Sequence, residues 1–198
     1  KDETTNPVTV PIHMTSSYQF DSTDHAANLF ALSELGNIYS RIMNPTNAVF
    51  EERIAALEGG VAALGLASGQ AASAYTIQNL CSNGDNFVAS SHLYGGTYNQ
   101  FKNPFSDMGI EVRFVDPSDP QNFADATDDK TRAYYGEVLP NPSFQVFPLQ
   151  EVADLGRPLG IPLIVDNTAA PLICRPFDHG VAIIIHSATK YIGGHGTS

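Results

Sequence analysis

Val181-Ala182-Ile183-Ile184-Ile185 runs directly into His186-Ser187-Ala188-Thr189-Lys190-Tyr191-Ile192-Gly193-Gly194-His195-Gly196-Thr197. Five apolar residues, mostly β-branched, read as a strand buried on both faces, the kind found in parallel sheets covered by helices. The chain then changes character at once, to two hydroxyl side chains, a lysine and glycines. A lysine just past the carboxyl end of a buried strand can be partly desolvated, which would lower its pKa and make the amine a nucleophile toward aldehydes. Ser187 and Thr189 can hydrogen-bond a phosphate beside it. Alone, a Ser-x-Thr-Lys run is more often a polar surface loop, so its meaning depends on the rest of the chain.

Toward the N-terminus the same strand-then-helix alternation repeats. Ala62 to Ala67 reads as a short apolar strand, and Ser68-Gly69 turns into a helix from Gln70 to about Leu80. Asn86 to Ser90 is a second strand, followed by Leu93-Tyr94-Gly95-Gly96-Thr97 and a helical stretch to about Met108 that is broken near Pro104. Glu111 to Val115, Arg132 to Val138 and Pro162 to Val165 are further strands. Between them lie a polar helix, Asp119 to Ala126, and a helix from Leu149 to Leu159 whose last turn Pro158 disturbs. With Val181 to Ile185 this makes six strands. The spacing predicts an α/β fold, with right-handed βαβ units, a mostly parallel sheet and helices on both faces. Ligands in such sheets bind beyond the carboxyl ends of the strands.

Residues 1 to about 20, with Pro7 and Pro11, read as an extended arm that is apolar enough to pack on something, such as another subunit. Ser22 or Thr23 caps a short helix to about Ser33, ended by Gly36. Thr46 is the expected cap of a helix from Asn47 to Glu58, stopped by Gly59-Gly60. The boundaries expected are an arm with its short helix over 1–47 and the main domain over 48–198.

Composition narrows the function. Of 198 residues, 42% are hydrophobic and only 16% charged, which calls for a sizeable core or subunit burial. A net charge of −11 repels nucleic-acid phosphates and anionic membrane. No apolar run is long enough to span a bilayer, and no secretory signal opens the chain. Lys1-Asp2-Glu3 reads as a start inside a longer chain. Cys81 and Cys174 read as reduced thiols of a cytoplasmic protein, with a disulfide as the alternative. The six histidines form no H-x-x-x-H pair, and no metal site is expected.

The residues at the strand ends each have two readings. Ser68-Gly69-Gln70 offers a helix N-terminus to an anion, or is an ordinary βα turn. Asp166 after an apolar strand needs a cationic or donor partner, such as a protonated ring nitrogen, or is a turn residue. Tyr94 can stack on a flat ring, or be a half-buried tyrosine. Asn141 between two prolines can donate to a ligand oxygen, or serve the turn. Arg41 can pair with a phosphate, or with a nearby acid such as Glu34; Tyr39 fits either role.

Taken together, these residues describe a cradle for pyridoxal 5′-phosphate. The chain resembles the Cys/Met-metabolism family of pyridoxal-phosphate enzymes, which have the aspartate-aminotransferase fold (fold type I). Six motifs fall in family order: Tyr39-Ser40-Arg41 through Asn44-Pro45-Thr46, Ser68-Gly69-Gln70-Ala71-Ala72, Leu93-Tyr94-Gly95-Gly96-Thr97, Asn141-Pro142, Val165-Asp166-Asn167-Thr168 and Ser187-Ala188-Thr189-Lys190. The resemblance implies that Lys190 is the Schiff-base lysine and moves protons. Asp166 would pair with the pyridinium nitrogen and Tyr94 stack on the ring. Ser68, Gly69, Gln70, Ser187 and Thr189 would hold the phosphate, and Asn141 contact the phenolic oxygen. Tyr39 and Arg41 would reach the phosphate in a neighbouring subunit, so that sites form only in a homodimer, within a dimer of dimers.

Within the family, Ile192-Gly193-Gly194-His195-Gly196 is similar to the O-acetylhomoserine sulfhydrylases. Gly96 departs from the methionine γ-lyases, many of which have cysteine there. The implied reaction is γ-replacement on O-acetylhomoserine with sulfide or a thiol, giving homocysteine or methionine and acetate. Gly96, Gly193 and Gly194 are expected to leave room for a small acceptor. The alternatives are a methionine or cystathionine γ-lyase, a cystathionine γ-synthase, or a cofactor-binding module that catalyses nothing. Family members continue for roughly as long again past the lysine. The small C-terminal domain and the arginine for the substrate carboxylate are therefore expected beyond Ser198.

Overall fold

The computed structural model describes residues 6–196; Lys1-Asp2-Glu3 and the end of the glycine-rich stretch at Thr197 lie outside them. The chain divides into two compact units, residues 1–65 and 66–198, so the second long helix groups with the arm rather than with the sheet.

In the first unit, α1 (Thr23–Phe30) starts at Ser22, whose side chain accepts from the His25 N–H. Helix α2 (Pro45–Glu58) is capped by Asn44 and not by Thr46: the Asn44 side chain accepts from the Thr46 N–H, and Pro45 stands in the first turn. Proline there sacrifices an N–H that has no partner anyway, so the cap is the residue before it. Thr46 has a different task. Its hydroxyl donates to the Pro11 carbonyl at 3.2 Å and accepts the His13 N–H at 2.9 Å, tying the extended arm to the start of α2. Gly59, at φ 76°, ends α2 in the left-handed conformation. Residues 62–67 are not a strand. Val61 and Leu64 are exposed and the Gly65 N–H donates to the Glu51 carboxylate, so no neighbouring strand claims this backbone.

Among the described residues the second unit holds one five-stranded parallel sheet, so the chain is α/β as expected, with one strand fewer there than the six expected. Its strands are β1 (Asn86–Ser90), β2 (Glu111–Val115), β3 (Thr131–Glu137), β4 (Leu163–Asp166) and β5 (Ile183–Ile185), in the order β2-β1-β3-β4-β5. The helices are α3 (Gly69–Leu80), α4 (Gly95–Gln100), α5 (Gln121–Asp125) and α6 (Leu149–Gly156). Pro104 sits inside a π-helical turn, Phe101–Phe105, that continues α4. Pro158 sits in the 3₁₀ turn that ends α6.

Successive strand residues face opposite cores. Tyr134, Leu163 and Val165 pack with Phe123, Phe147 and Val152 on one face. Tyr135, Ile164 and Ile185 pack with Ile77, Phe87 and Phe101 on the other. This double burial is why the strands read as continuous apolar runs. β2 lies on one side of β1 and β3 on the other. The chain therefore reverses direction across the sheet between β1 and β3, which opens a crevice beyond their carboxyl ends.

Candidate functional site

A cavity of about 600 Å³ opens at the carboxyl end of the sheet. Gly69, Gln70, Tyr94, Asn141, Asp166, Ser187 and Lys190, from five separate stretches of chain, line it. Ser68 and Thr189 are not among the lining residues. Tyr39 and Arg41 belong to the first unit, where Arg41 donates to the Tyr39 hydroxyl at 3.0 Å. Glu34 is paired with His25 at 3.9 Å instead.

One wall is the start of α3. Ser68 caps it, its hydroxyl accepting from the Ala71 N–H at 3.1 Å. The N–H groups of Gly69 and Gln70 precede the first intrahelical bond and stand at the cavity. The Gln70 side chain turns to Thr97, donating at 2.9 Å, so only its main chain faces an anion. Gly69 touches the end of β5: a Cβ there would lie 2.9 Å from the Ser187 Cβ and 3.1 Å from its Cα. Only glycine lets the helix start and the Ser187 loop close on one point.

The floor is a chain of hydrogen bonds between strand ends. The Thr168 N–H donates to Asp166 at 2.8 Å, and the Ser187 N–H donates to the Thr168 hydroxyl at 2.7 Å. Burial raises the Asp166 pKa, opposed by the Thr168 hydrogen bonds and by the charges of His186 and Lys190. Lys190 is exposed in this chain, in the turn that follows Ser187.

Tyr94 begins α4, and its ring folds back over that helix. A Cβ on Gly96 would stand 2.5 Å from the ring, so Gly96 makes room for Tyr94 itself. A Cβ on Gly193 would meet the Ala188 carbonyl oxygen at 2.8 Å, so that glycine serves a backbone turn. The space expected at these two glycines for an acceptor is taken by the chain, whereas Gly194 does line the cavity.

Glu137 escaped the sequence reading. It is the last residue of β3, 6% exposed, and opposite Asp166 in the strand register. Its carboxylate accepts the Tyr94 N–H at 2.7 Å, and the Asn141 N–H favours its charged form. Burial first, then the charge of Asp166, pushes its pKa up to about 8 against those two hydrogen bonds. A charged residue one step before the end of an apolar strand was the available signal, the same that singled out Asp166.

The donor set suits pyridoxal phosphate. Free helix N–H groups and the Ser187 hydroxyl suit a phosphate, Asp166 a protonated ring nitrogen, Tyr94 a flat ring and Lys190 an aldehyde. Among the described residues, no three His, Cys, Asp or Glu side chains gather at metal-binding separations. Among them, too, no helix is long and apolar enough to cross a membrane.

The model of the family described as Cys/Met metabolism PLP-dependent enzyme matches residues 1–198. The chain is 52% identical over 198 residues to an O-acetyl-L-homoserine sulfhydrylase of Leptospira meyeri, matching 100% of this chain and 45% of that protein. It is 50% identical over 191 residues to the homocysteine/cysteine synthase of Saccharomyces cerevisiae, 96% of this chain and 43% of that one. A Campylobacter jejuni chain assigned as an O-acetylhomoserine (thiol)-lyase, solved with a pyridoxyl-lysine phosphate residue, superposes with a TM-score of 0.96 at 39% identity. That match covers 99% of this chain and 49% of the other. The chain spans about half the length of these relatives.

Proposed function

Because the chain belongs to the Cys/Met metabolism PLP-dependent enzyme family, we propose that this protein replaces the γ-substituent of O-acetylhomoserine with sulfide or a thiol, giving homocysteine or methionine and acetate. The carrying observation is the single cavity that gathers Lys190, Asp166, Tyr94 and the start of α3 at the carboxyl end of the sheet. The names of the relatives support the substrate class. Pyridoxal phosphate, when bound, supplies the aldehyde that captures the substrate amine and the electron sink for the α-carbon.

The chain's own residues then divide the work. Lys190 Nζ holds the cofactor and later takes the α-proton. The Asp166 carboxylate keeps a proton on the ring nitrogen. Tyr94 covers the ring, and Asn141 contacts its phenolic oxygen. The N–H groups of Gly69 and Gln70, with the hydroxyls of Ser187, Ser68 and Thr189, hold the phosphate. The Thr189 and Ser68 assignments rest on family order, and for Ser68 on its capping of α3.

The site is shared between subunits. Among the described lining residues Lys190 is the one Lys or Arg, facing the carboxylates Glu137 and Asp166, so a dianionic phosphate needs a further cation. Arg41 of the partner subunit, with Tyr39, supplies it. Val8 and Met14 on the arm are almost fully exposed, as a segment built to pack on another copy would be. The assembly is a dimer of dimers in the cytoplasm; the latter accords with the buried Cys81 thiol.

The experiment follows both products of the full-length enzyme with O-acetylhomoserine, O-succinylhomoserine and methionine. Sulfide-dependent homocysteine from O-acetylhomoserine is expected, with much slower 2-oxobutanoate release when sulfide is absent. Rapid 2-oxobutanoate from methionine, with no sulfide-dependent homocysteine, would make the protein a γ-lyase. Sharing of the site is tested by mixing full-length Lys190→Ala and Arg41→Ala chains. Subunit exchange should restore activity in hybrids, and proven exchange without recovery would place Arg41 outside a neighbour's site.

A further inference from the structure

Glu137 is a buried charge at the carboxyl end that the reaction above does not use. It is 6% exposed, lines the cavity, and stands beside Asp166 across the β3–β4 ladder. A carboxylate in such a place is costly unless its hydrogen bonds matter. Two main-chain N–H groups from different loops stabilise it. One is that of Tyr94, in the loop after β1, at 2.7 Å; the other is that of Asn141, in the loop after β3. These two loops flank the crevice where the strand order reverses. Neither has another anchor of this kind among the described residues: Tyr94 begins α4 with no side-chain cap, and Asn141 follows Pro140, which has no N–H to give.

We propose that Glu137 is a positioning residue, whose carboxylate clamps the Tyr94 and Asn141 loops together across the β1–β3 crevice and so fixes the ring-stacking tyrosine and the asparagine relative to Asp166. The proposal rests on the cofactor reading of the cavity. A fixed acceptor outside the reacting atoms can do this because main-chain N–H groups of two loops converge on one rigid strand end. The cost is borne by the fold: burial and the Asp166 charge both disfavour the ionised carboxylate.

A merely structural glutamate would be missed in stability. A positioning one is missed in the cofactor. In full-length enzyme, Glu137→Gln keeps the shape and one neutral acceptor oxygen, while Glu137→Ala removes both acceptors. Pyridoxal phosphate should bind about fivefold more weakly to the first and about thirtyfold more weakly to the second, the span of losing one or two ordinary hydrogen bonds. The visible circular dichroism of bound cofactor, which reports how the ring is held, should weaken in the same order. The unfolding midpoint of the cofactor-free Gln variant should equal or exceed that of the unsubstituted protein. Cofactor affinity and dichroism within about twofold of the unsubstituted enzyme would overturn the proposal. Absence of any visible cofactor band in the unsubstituted enzyme would instead sink the cofactor reading. Should neither variant fold, residue-resolved hydrogen exchange of the unsubstituted protein decides. The Tyr94 and Asn141 amides should be strongly protected, and exchange as fast as at exposed Gln145 and Val146 would end the proposal.

Discussion

Asp128, just ahead of β3, and Glu137, the last residue of β3, are carboxylates at opposite ends of one strand. Asp128 accepts from the Asn86 amide at 2.8 Å, from the Arg113 guanidinium at 2.8 Å and from the Lys130 N–H at 2.9 Å. The Asn86 and Arg113 hydrogen bonds hold it well below the usual carboxylate range. Around it Arg113 also reaches Glu111, and Arg132 pairs with Asp85 at 2.9 Å. At the other end Glu137 faces Asp166, and both are pushed upward, first by burial. At the amino end Asp128, Arg113, Arg132 and Asp85 are all paired, while the carboxyl end keeps two carboxylates side by side. Two carboxyl groups kept side by side in a buried place, both shifted upward, are the mark of a site whose partner is a ligand.

The comparison breaks most visibly in catalysis. In full-length enzyme, Asp166→Ala should cost far more than tenfold in kcat, with the cofactor still attached, because the ring nitrogen loses its pairing; a loss under about tenfold, or ~1.4 kcal/mol of barrier, would refute that pairing. Asp128→Ala should leave kcat within about twofold and lower the unfolding midpoint instead. Next in size is Gly69→Ala. Its Cβ meets Ser187, and forcing the two apart costs about 1–3 kcal/mol, so cofactor affinity should drop about ten- to a hundredfold at nearly unchanged kcat once saturated.

The two ends also predict opposite pH responses of the cofactor-free protein. Glu137 has a folded pKa of about 8 against an ordinary 4.5, so the folded state holds its proton more tightly. Its contribution is fully present below about pH 4.5 and is lost as pH rises toward 8. Asp128 is shifted the other way; its contribution is present above its ordinary value of 3.8 and is lost as pH falls below it. Denaturation from pH 5 to 8 should show stability declining, and Glu137→Gln should flatten that decline. A curve unchanged by the substitution would contradict the buried charge. The smallest effect is expected for Arg132→Gln, which removes a half-exposed ion pair with Asp85: a midpoint shift of about 2 °C or less and no change in cofactor affinity.

What the sequence disclosed follows the same division. Strands buried on both faces announce themselves as apolar runs, so β1 to β5 were legible, as was the turn into α3 at Ser68-Gly69. Residues 62–67 misled because a short apolar run looks the same whether a neighbouring strand claims it or not. Thr46 was mistaken for the cap because the significance of Pro45 in the first turn was passed over. Glu137 was hidden inside a run taken as core. Its meaning depends on two amides and a carboxylate brought from distant parts of the chain, and no local pattern records such a meeting.

The most direct test of the carboxyl end as a cofactor site is chemical. Full-length enzyme loaded with pyridoxal phosphate, reduced with borohydride and digested, should yield one pyridoxyl-bearing peptide, with the label on Lys190. Label on Lys102 or Lys130, or none at all, would contradict the account.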